Sequence, residues 1–372
     1  MKLSEIVQRI NGNIDRFTTE LEFYIGGEHM ESSELEISNR GLLKENLGKL
    51  GFKFHFAFQE RDVLFMARNP HLRKAGMVMF SGLCSDATYV LRSKDENIIS
   101  QEFLAIQLQT DHFWDYCERT KVGSVNFANN WSSIANYDFD LPPINIQKEV
   151  ASKVWSAYRV KQSYRKLLNA IDEMVKSQFI EMLSNSGYEE KSMGELCDKI
   201  TDGSHNPPKG NDGSEYLMIS SKNVFIDGLD LADVRYLSKE EFDLENKRTE
   251  VKKNNILLTI VGTIGRTYLV KGNEGNIVMQ RSVAVLKPSD RVNPLFMMYS
   301  LHIDENLEKE GRGNAQKGVY LKQLSQFKIK VPSLDVQNNF CTIYQQADKS
   351  KFELKKSIEA IDKVIKSLIN NI

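Results

Sequence analysis

The sequence predicts an α+β protein. Two mixed α/β domains are each followed by a long helix, in a pseudo-two-fold internal repeat whose two helices form an antiparallel coiled coil. Three observations predict it. The 372-residue chain repeats itself 190 residues along: Leu141-Pro142-Pro143-Ile144-Asn145-Ile146-Gln147 returns as Val331-Pro332-Ser333-Leu334-Asp335-Val336-Gln337. Each copy then runs into a helical pattern, and the two stay in register. Ala157, Lys161, Lys166, Ala170, Ile171, Asp172, Lys176 and Ser177 reappear as Ala347, Lys351, Lys356, Ala360, Ile361, Asp362, Lys366 and Ser367. The chain start obeys the same offset, since Glu5-Ile6 falls on Glu195-Leu196. A repeat of this kind sets the architecture before any local signal is read. It divides the chain into globular parts at 1–140 and 185–330 and helical parts at 141–184 and 331–372.

The helices carry the clearest local pattern. One seam reads Val150, Val154, Ala157, Lys161, Tyr164, Leu168, Ile171, Val175, Gln178, Met182. The other reads Phe340, Tyr344, Ala347, Lys351, Leu354, Ile358, Ile361, Ile365, Leu368, Ile372. Steps alternate between four and three, the 3.5-residue period of a coiled-coil seam. Asn145 and Asp335 are N-cap candidates after the proline-containing entry. At about 1.5 Å per residue each helix is roughly 50–60 Å long. Helices this long and one-sided need a partner, and each is the simplest partner for the other. Val154, Lys161, Leu168 and Ile171, with Tyr344, Lys351, Ile358 and Ile361, are the expected helix–helix and subunit-interface positions. Lys161 and Lys351 interrupt both seams at the same step. Either their alkyl stems pack while the ammonium groups reach water, or they are polar positions that set the register.

The globular parts read as mixed. In the second, Tyr216–Ile219, Ile256–Val261, Thr267–Val270 and Ser282–Leu286 are strand-like. Gly262, Gly265, Gly272 and Gly275 punctuate them, and Phe296–Leu301 reads as a short buried helix. In the first, Val63–Met66, Met77–Phe80 and Ala87–Leu91 take the strand roles and Phe103–Gln109 the helix. Repeat identity is faint here compared with the helices. The frame is kept while the heads diverge, as two binding specificities on one scaffold require.

Composition narrows the class. Hydrophobic residues at 41% and charged residues at 27% are ordinary for a soluble protein. No apolar run is long enough to span a membrane, and Met1–Ile6 lacks the apolar core of a signal peptide. Four widely spaced cysteines (Cys84, Cys117, Cys197, Cys341) form no CxxC pair, which fits reduced thiols in the cytoplasm and no zinc site. A net charge of -1 argues against a strongly basic, autonomous nucleic-acid binder. Local balance differs: Lys247 to Arg266, and again Lys309 to Lys328, each hold five basic side chains and one acidic. Such runs suit a basic patch or a merely solvated face.

No catalytic pattern emerges. There is no Walker A or GxSxG motif, and the six histidines have no paired metal-ligand spacing. Asn206-Pro207-Pro208 is like the N-P-P-aromatic motif of amino-methyltransferases, but Lys209 stands where the aromatic belongs and no glycine-rich cofactor loop follows an apolar strand. A loop projecting Ser204, His205, Asn206 and Lys209 toward phosphates or base edges fits better.

Contact-capable residues cluster at matching places. In the first head Arg68, Asn69, His71, Arg73 and Lys74 lie between two strands, and Asn126, Asn129 and Asn130 precede the long helix. In the second, Arg266 follows a strand, and Arg312, Asn314, Gln316, Lys317 and Tyr320 occupy the place before the helix. Arg pairs with guanine, and Asn or Gln with adenine, through bidentate hydrogen bonds in the major groove.

In this order of parts the chain resembles the specificity subunit of type I restriction–modification enzymes over essentially its whole length. The resemblance rests on the head–helix–head–helix order, on the two proline entries with Gln147 and Gln337, and on Ile200-Thr201-Asp202-Gly203-Ser204-His205-Asn206-Pro207-Pro208. It also rests on Gly27-Glu28-His29, Asn69-Pro70-His71-Leu72-Arg73-Lys74 and Ser81-Gly82-Leu83-Cys84-Ser85 in the first head. The resemblance adds Glu28 and His29 to the expected DNA contacts. It implies two target-recognition domains, each reading half of a bipartite site on double-stranded DNA, with the helices as the ruler between the halves. It implies a chain without catalysis or cofactor of its own. Two methyltransferase subunits using S-adenosylmethionine would methylate adenine N6, and restriction subunits would use ATP and magnesium. Two alternatives stay open at this point: a coiled-coil scaffold whose heads bind proteins, and the specificity subunit of a related phage-defence system.

Overall fold

The computed structural model describes residues 1–184, 187–210, 213–311 and 317–372. By packing, the chain divides into two units: residues 1–167 with 353–372, and residues 168–352. The divisions fall inside both long helices, Ile144–Leu183 and Leu334–Asn370. Each helix therefore gives one part to each unit, because each globular core takes in a stretch of both.

The two heads share one topology. In the first, the antiparallel core Val7–Ile10, Thr88–Ser93, Val63–Met66, Ala75–Val78 forms a sheet in that order, with Glu36–Ile37 added in parallel at the edge. In the second, Cys197–Asp202, Val283–Pro288, Ile256–Thr259 and Thr267–Leu269 take the same order. A second sheet in each head is built on a parallel pair: Phe23–Ile25 with Gly82–Ser85, and Tyr216–Ile219 with Asn276–Met279. Val63–Met66 and Tyr216–Ile219 stand as read from the sequence, and the bounds of the other strands move by at most two residues. Met79 and Phe80, for example, fall outside their strand, where Val63 pairs with Met77.

Each core closes on the helices. In the first unit Leu3, Phe65, Phe103, Trp114 and Tyr137 pack with Val154, Tyr158, Ile365 and Ile369. In the second, Met193, Leu258, Phe296 and Val175 pack with Phe340 and Ala347. Phe179 rather than Gln178 holds the seam there, with its ring centroid 4.8 Å from Phe340 and 5.5 Å from Phe296. An apolar ring gains more from this core than an amide does. Within each unit the helix pair runs antiparallel. Ile369 and Ile372 lie beside Asp138–Asp140, just before the first helix starts, while Asp362 meets Lys161. At the other end Leu183 accepts from Lys330, just before the second helix starts, while Lys351 meets Asp172.

The repeated glutamine has a structural reason. Gln147 is fully buried; its amide nitrogen donates to the carbonyls of Ile98 and Pro142 at 2.8 Å, and its oxygen accepts from the Ser100 N–H at 3.2 Å. Gln337 does the same with Pro332 and Asn293, both at 2.8 Å. Ser100 and Asn293 are themselves the N-caps of the buried helices Gln101–Gln107 and Pro294–Ile303. The motif thus ties the entry of each long helix to the cap of a core helix, where unmet buried amides are costly. Asn145 and Asp335 do not cap. The first helical amide bonds go to the carbonyls of Pro143 and Ser333, which places both residues inside the first turn.

Both paired lysines are held by carboxylates, and Lys161 does not reach water. Lys161 is 5% exposed, and its Nζ sits 3.0 Å from Glu34 Oε1 and 2.7 Å from Asp362 Oδ1. Lys351 repeats this with Asp172 at 2.6 Å and Asp227 at 3.8 Å. In each unit a lysine on one helix is clasped between a carboxylate of the head and a carboxylate of the other helix. Burial raises the Glu34 carboxyl, but Lys161 and hydrogen bonds from Arg165, Lys161 and Tyr158 outweigh it and hold it below the ordinary range.

Two predictions follow from these clasps. Lys161→Ala leaves Glu34 buried with less compensation and lowers stability by about 3–5 kcal/mol, whereas Lys351→Ala, whose partners are more exposed, lowers it by about 1 kcal/mol or less; denaturant titration of both variants checks the order. A carboxyl held low in the folded state stabilises above its unfolded value and loses that stability as pH falls through its folded value. Stability should therefore fall below about pH 4, and Glu34→Gln should be less stable at pH 7 yet show a flatter acid limb in melting curves.

Candidate nucleic-acid interface

In each head, the segment before the long helix is clipped to the loop after a central strand. In the first, Asn69 N–H donates to Phe127 O and Asn129 N–H to Ala67 O, both at 2.9 Å. In the second, Gly262 N–H donates to Lys317 O at 3.3 Å and Val319 N–H to Ile260 O at 2.8 Å. The two clips are the same structure, reached at an offset of 190 on one side and 193 on the other, which is why the repeat fades between the helices. Gly123 (φ +108°) and Gly262 (φ +84°) turn the chain beside them, a conformation glycine adopts without strain.

The first head brings part of the expected set together. Arg68, Asn69, Asn126 and Asn130 are exposed around the clip, with His71 in the following turn. Beside them Arg9, which the sequence reading did not single out, lies 4.1 Å over the Tyr89 ring, and Tyr89 packs edge-on against Trp131. Asn129 is different: it is 1% exposed and its amide donates to Cys117 O at 2.8 Å, so it braces the clip and cannot reach a base. Arg73 points elsewhere. Its guanidinium pairs with Asp111 at 2.5 Å, and together with Lys366 it pulls that carboxyl below the ordinary range. The Gly27–His29 turn is largely a brace too. His29 Nδ1 accepts from the Gly26 N–H at 3.0 Å, Lys74 Nζ donates to Gly27 O at 2.7 Å, and Glu28 is left exposed. In the second head Asn223 serves Ser220 in the same way.

In the second head the Asp202–Lys209 loop and the clip together open a cleft of about 610 Å³. His205 and Tyr320 line it, as do Arg248 and Arg281, which sequence reasoning missed. Arg248 lies within the basic run from Lys247 to Arg266, but Arg281 stands in no run and only the fold brings it there. Asp202 organises one wall: its Oδ1 pairs with Arg248 Nη2, its carbonyl accepts from Arg248 Nε at 2.9 Å, and its Oδ2 meets His205 Nε2 at 2.8 Å. Ser204 is buried, bonded through its backbone to Met279 and Arg281. Asn206, Lys209 and Lys317 are exposed at the margins, and Arg266 lies 4.6 Å over the Phe225 ring. Arg312, Asn314 and Gln316 lie outside the described residues. Among the described residues no group of three or more His, Cys, Asp or Glu is arranged to hold a metal ion, and no helix is long and apolar enough to cross a membrane.

Gly203 makes this wall possible. A Cβ there would stand 1.9 Å from the Met279 carbonyl oxygen, a backbone atom that cannot step aside. Gly203→Ala should move the Asp202–His205 loop off the strand end and cost about 1–3 kcal/mol, while Gly213→Ala, open around its Cβ position though strained at φ +78°, should leave the loop in place. Amide hydrogen exchange at Ser204 and Arg281, faster only in the first variant, is the check.

Comparison with known proteins places this geometry. The family model for the type I restriction modification DNA specificity domain matches residues 1–172 and again 185–362. The EcoBI type I restriction enzyme specificity subunit of Escherichia coli is 30% identical over 167 residues, which is 42% of this chain and 34% of that protein. The stretch matched thus spans about a third of that relative. Among solved structures, the S subunit of a type I restriction-modification system from M. genitalium aligns over 99% of this chain and 94% of its own, with TM-score 0.60 and 11% identity. A chain from a study of assembly and conformational transition in the type I R-M system aligns over 99% and 95%, with TM-score 0.59 and 17% identity. These two share the fold. With both halves matched by one family model, the chain belongs to the type I restriction modification DNA specificity domain family.

Proposed function

We propose that this chain is the DNA-reading subunit of a type I restriction–modification complex. Each head contacts one half of a split, asymmetric site on double-stranded DNA, and methyltransferase and restriction subunits dock on the chain. The observation that carries this reading is the repeated clip. One backbone frame presents two different side-chain sets: Arg68, Asn69 and Asn130 in one head, Lys317 and Tyr320 in the other. Base edges are distinguished by side-chain donors and acceptors, so equal frames with unequal side chains read unequal half-sites.

The chain itself performs no chemistry in this reading. Two methyltransferase subunits carry S-adenosylmethionine and act at adenine N6, and restriction subunits carry ATP and magnesium. The partners also explain the charge. At a net charge of -1 the chain neutralises few phosphates by itself, and non-specific affinity scales with phosphates neutralised. Methyltransferase subunits that straddle the DNA supply the remainder.

The test is the methylome of a host expressing this chain with a cognate methyltransferase, beside one expressing the methyltransferase alone. A split, asymmetric N6-methyladenine motif that appears only with the chain is expected. A complex that copurifies but yields no new motif would favour a protein-binding scaffold. A second prediction concerns spacing: removing seven residues from each long helix shortens it by about 10 Å, close to three base pairs. The spacer between half-sites should change while both half-site sequences persist.

A further inference from the structure

We infer that the cleft of the second head reads a guanine through Arg281, with Arg248 as a fixed phosphate clamp beside it. The inference rests on the DNA-reading role proposed above and goes beyond it by assigning the base and the residue.

The two arginines share a cleft but stand in different states. Arg248 is tethered: Nε and Nη2 are both committed to Asp202, one to its carbonyl and one to its carboxylate. A guanidinium carries its donors in a planar fork. With that edge occupied, Arg248 offers only its outer nitrogens, enough for a phosphate oxygen and unsuited to a two-point grip on a base. Arg281 is the reverse. It is exposed, and among the described residues no hydrogen bond, ion pair or ring contact engages its guanidinium. Its backbone, in contrast, is fixed: its N–H donates to Ser204 O at 2.9 Å, Ser204 N–H donates to Met279 O at 2.8 Å, and Gly203 permits the close crossing between them. An arginine with a rigid root and an unused fork is the form that pairs bidentately with guanine O6 and N7.

The rest of the cleft suits a base edge better than a second phosphate. Asp202 places a carboxylate on the wall, which disfavours an anion deep in the cleft but not the neutral edge of a base pair. Val261 and Val319 make an apolar floor, and Tyr320, 68% exposed, stands at the lip where a ring can pack on a sugar or a base. Arg281 is exposed and its side chain bonds to no other described residue, so its replacement leaves the head folded.

The experiment uses the chain in complex with its methyltransferase and reads both the methylated motif and competition among duplexes. Arg281→Ala should relax one G·C pair in one half-site, lowering discrimination there about ten- to a hundredfold, and leave the other half-site unchanged. Arg281→Lys should keep part of the preference, and Arg281→Gln should move it toward A·T. Arg248→Ala should weaken all sequences alike and reduce the dependence of log affinity on log salt by about one. If Arg281→Ala leaves the motif intact, or weakens every sequence equally, Arg281 does not read a base and the inference falls while the DNA-reading role stands. If the unsubstituted complex shows no split motif at all, the role itself falls. Equal melting temperatures for the variants and the parent chain separate loss of reading from loss of fold.

Discussion

The architecture depends on a lysine held between two anions, used twice, once buried and once half-buried. Lys161 on the first long helix is caught between Glu34 of its head and Asp362 of the second helix; Lys351 on the second is caught between Asp227 of its head and Asp172 of the first. The helix partners exchange under the 190-residue offset, since 161 and 362 become 351 and 172. A lysine inside an apolar seam is costly unless its charge is matched. That cost penalises any register in which the carboxylates miss it, so the same contacts that tie helix to helix also tie each head to the pair. The clasps differ in depth: Lys161 is almost fully enclosed, while Lys351 faces more exposed partners. Equivalent position therefore does not mean equivalent energy.

Around this frame, conserved geometry and divergent chemistry are separated cleanly. Contacts to the backbone repeat: the Gln147 and Gln337 side chains brace the helix entries, the His29 and Asn223 side chains cap matching turns, and the clips at Asn69–Asn129 and Gly262–Val319 share one backbone pattern. The exposed side chains at the clips do not repeat. Asn129 fills the first head's clip from within, whereas Val319 takes its place in the second, where a cleft opens beside it. Interior positions answer to packing and hydrogen-bond satisfaction, and exposed loop positions answer to whatever they touch. A duplicated chain can thus change what each head reads without disturbing how it folds.

Loop position and residue type put Arg73, Lys74 and Asn129 among the DNA contacts, but each is engaged by a neighbour that is remote in sequence: Asp111, Gly27 and Cys117. Polar residue type reports what a side chain is able to bond, and only the fold reports whether that capacity is already used. Arg281 is the opposite case. It has no run, motif or repeat to mark it, and among the described residues its guanidinium has no partner where Arg248 is bonded twice to Asp202.

The repeat, the two helices with their seam, the proline entries and the equivalence of Lys161 with Lys351 are legible in the order of residues alone. These are properties of period and offset, carried by residues near one another in the chain, and a 3.5-residue period admits few other structures. The tertiary structure alone decided what the lysines pair with, which loops meet, and which arginines remain unspent. Each of those depends on strands and loops brought together across long stretches of chain, and neither spacing nor composition encodes that juxtaposition.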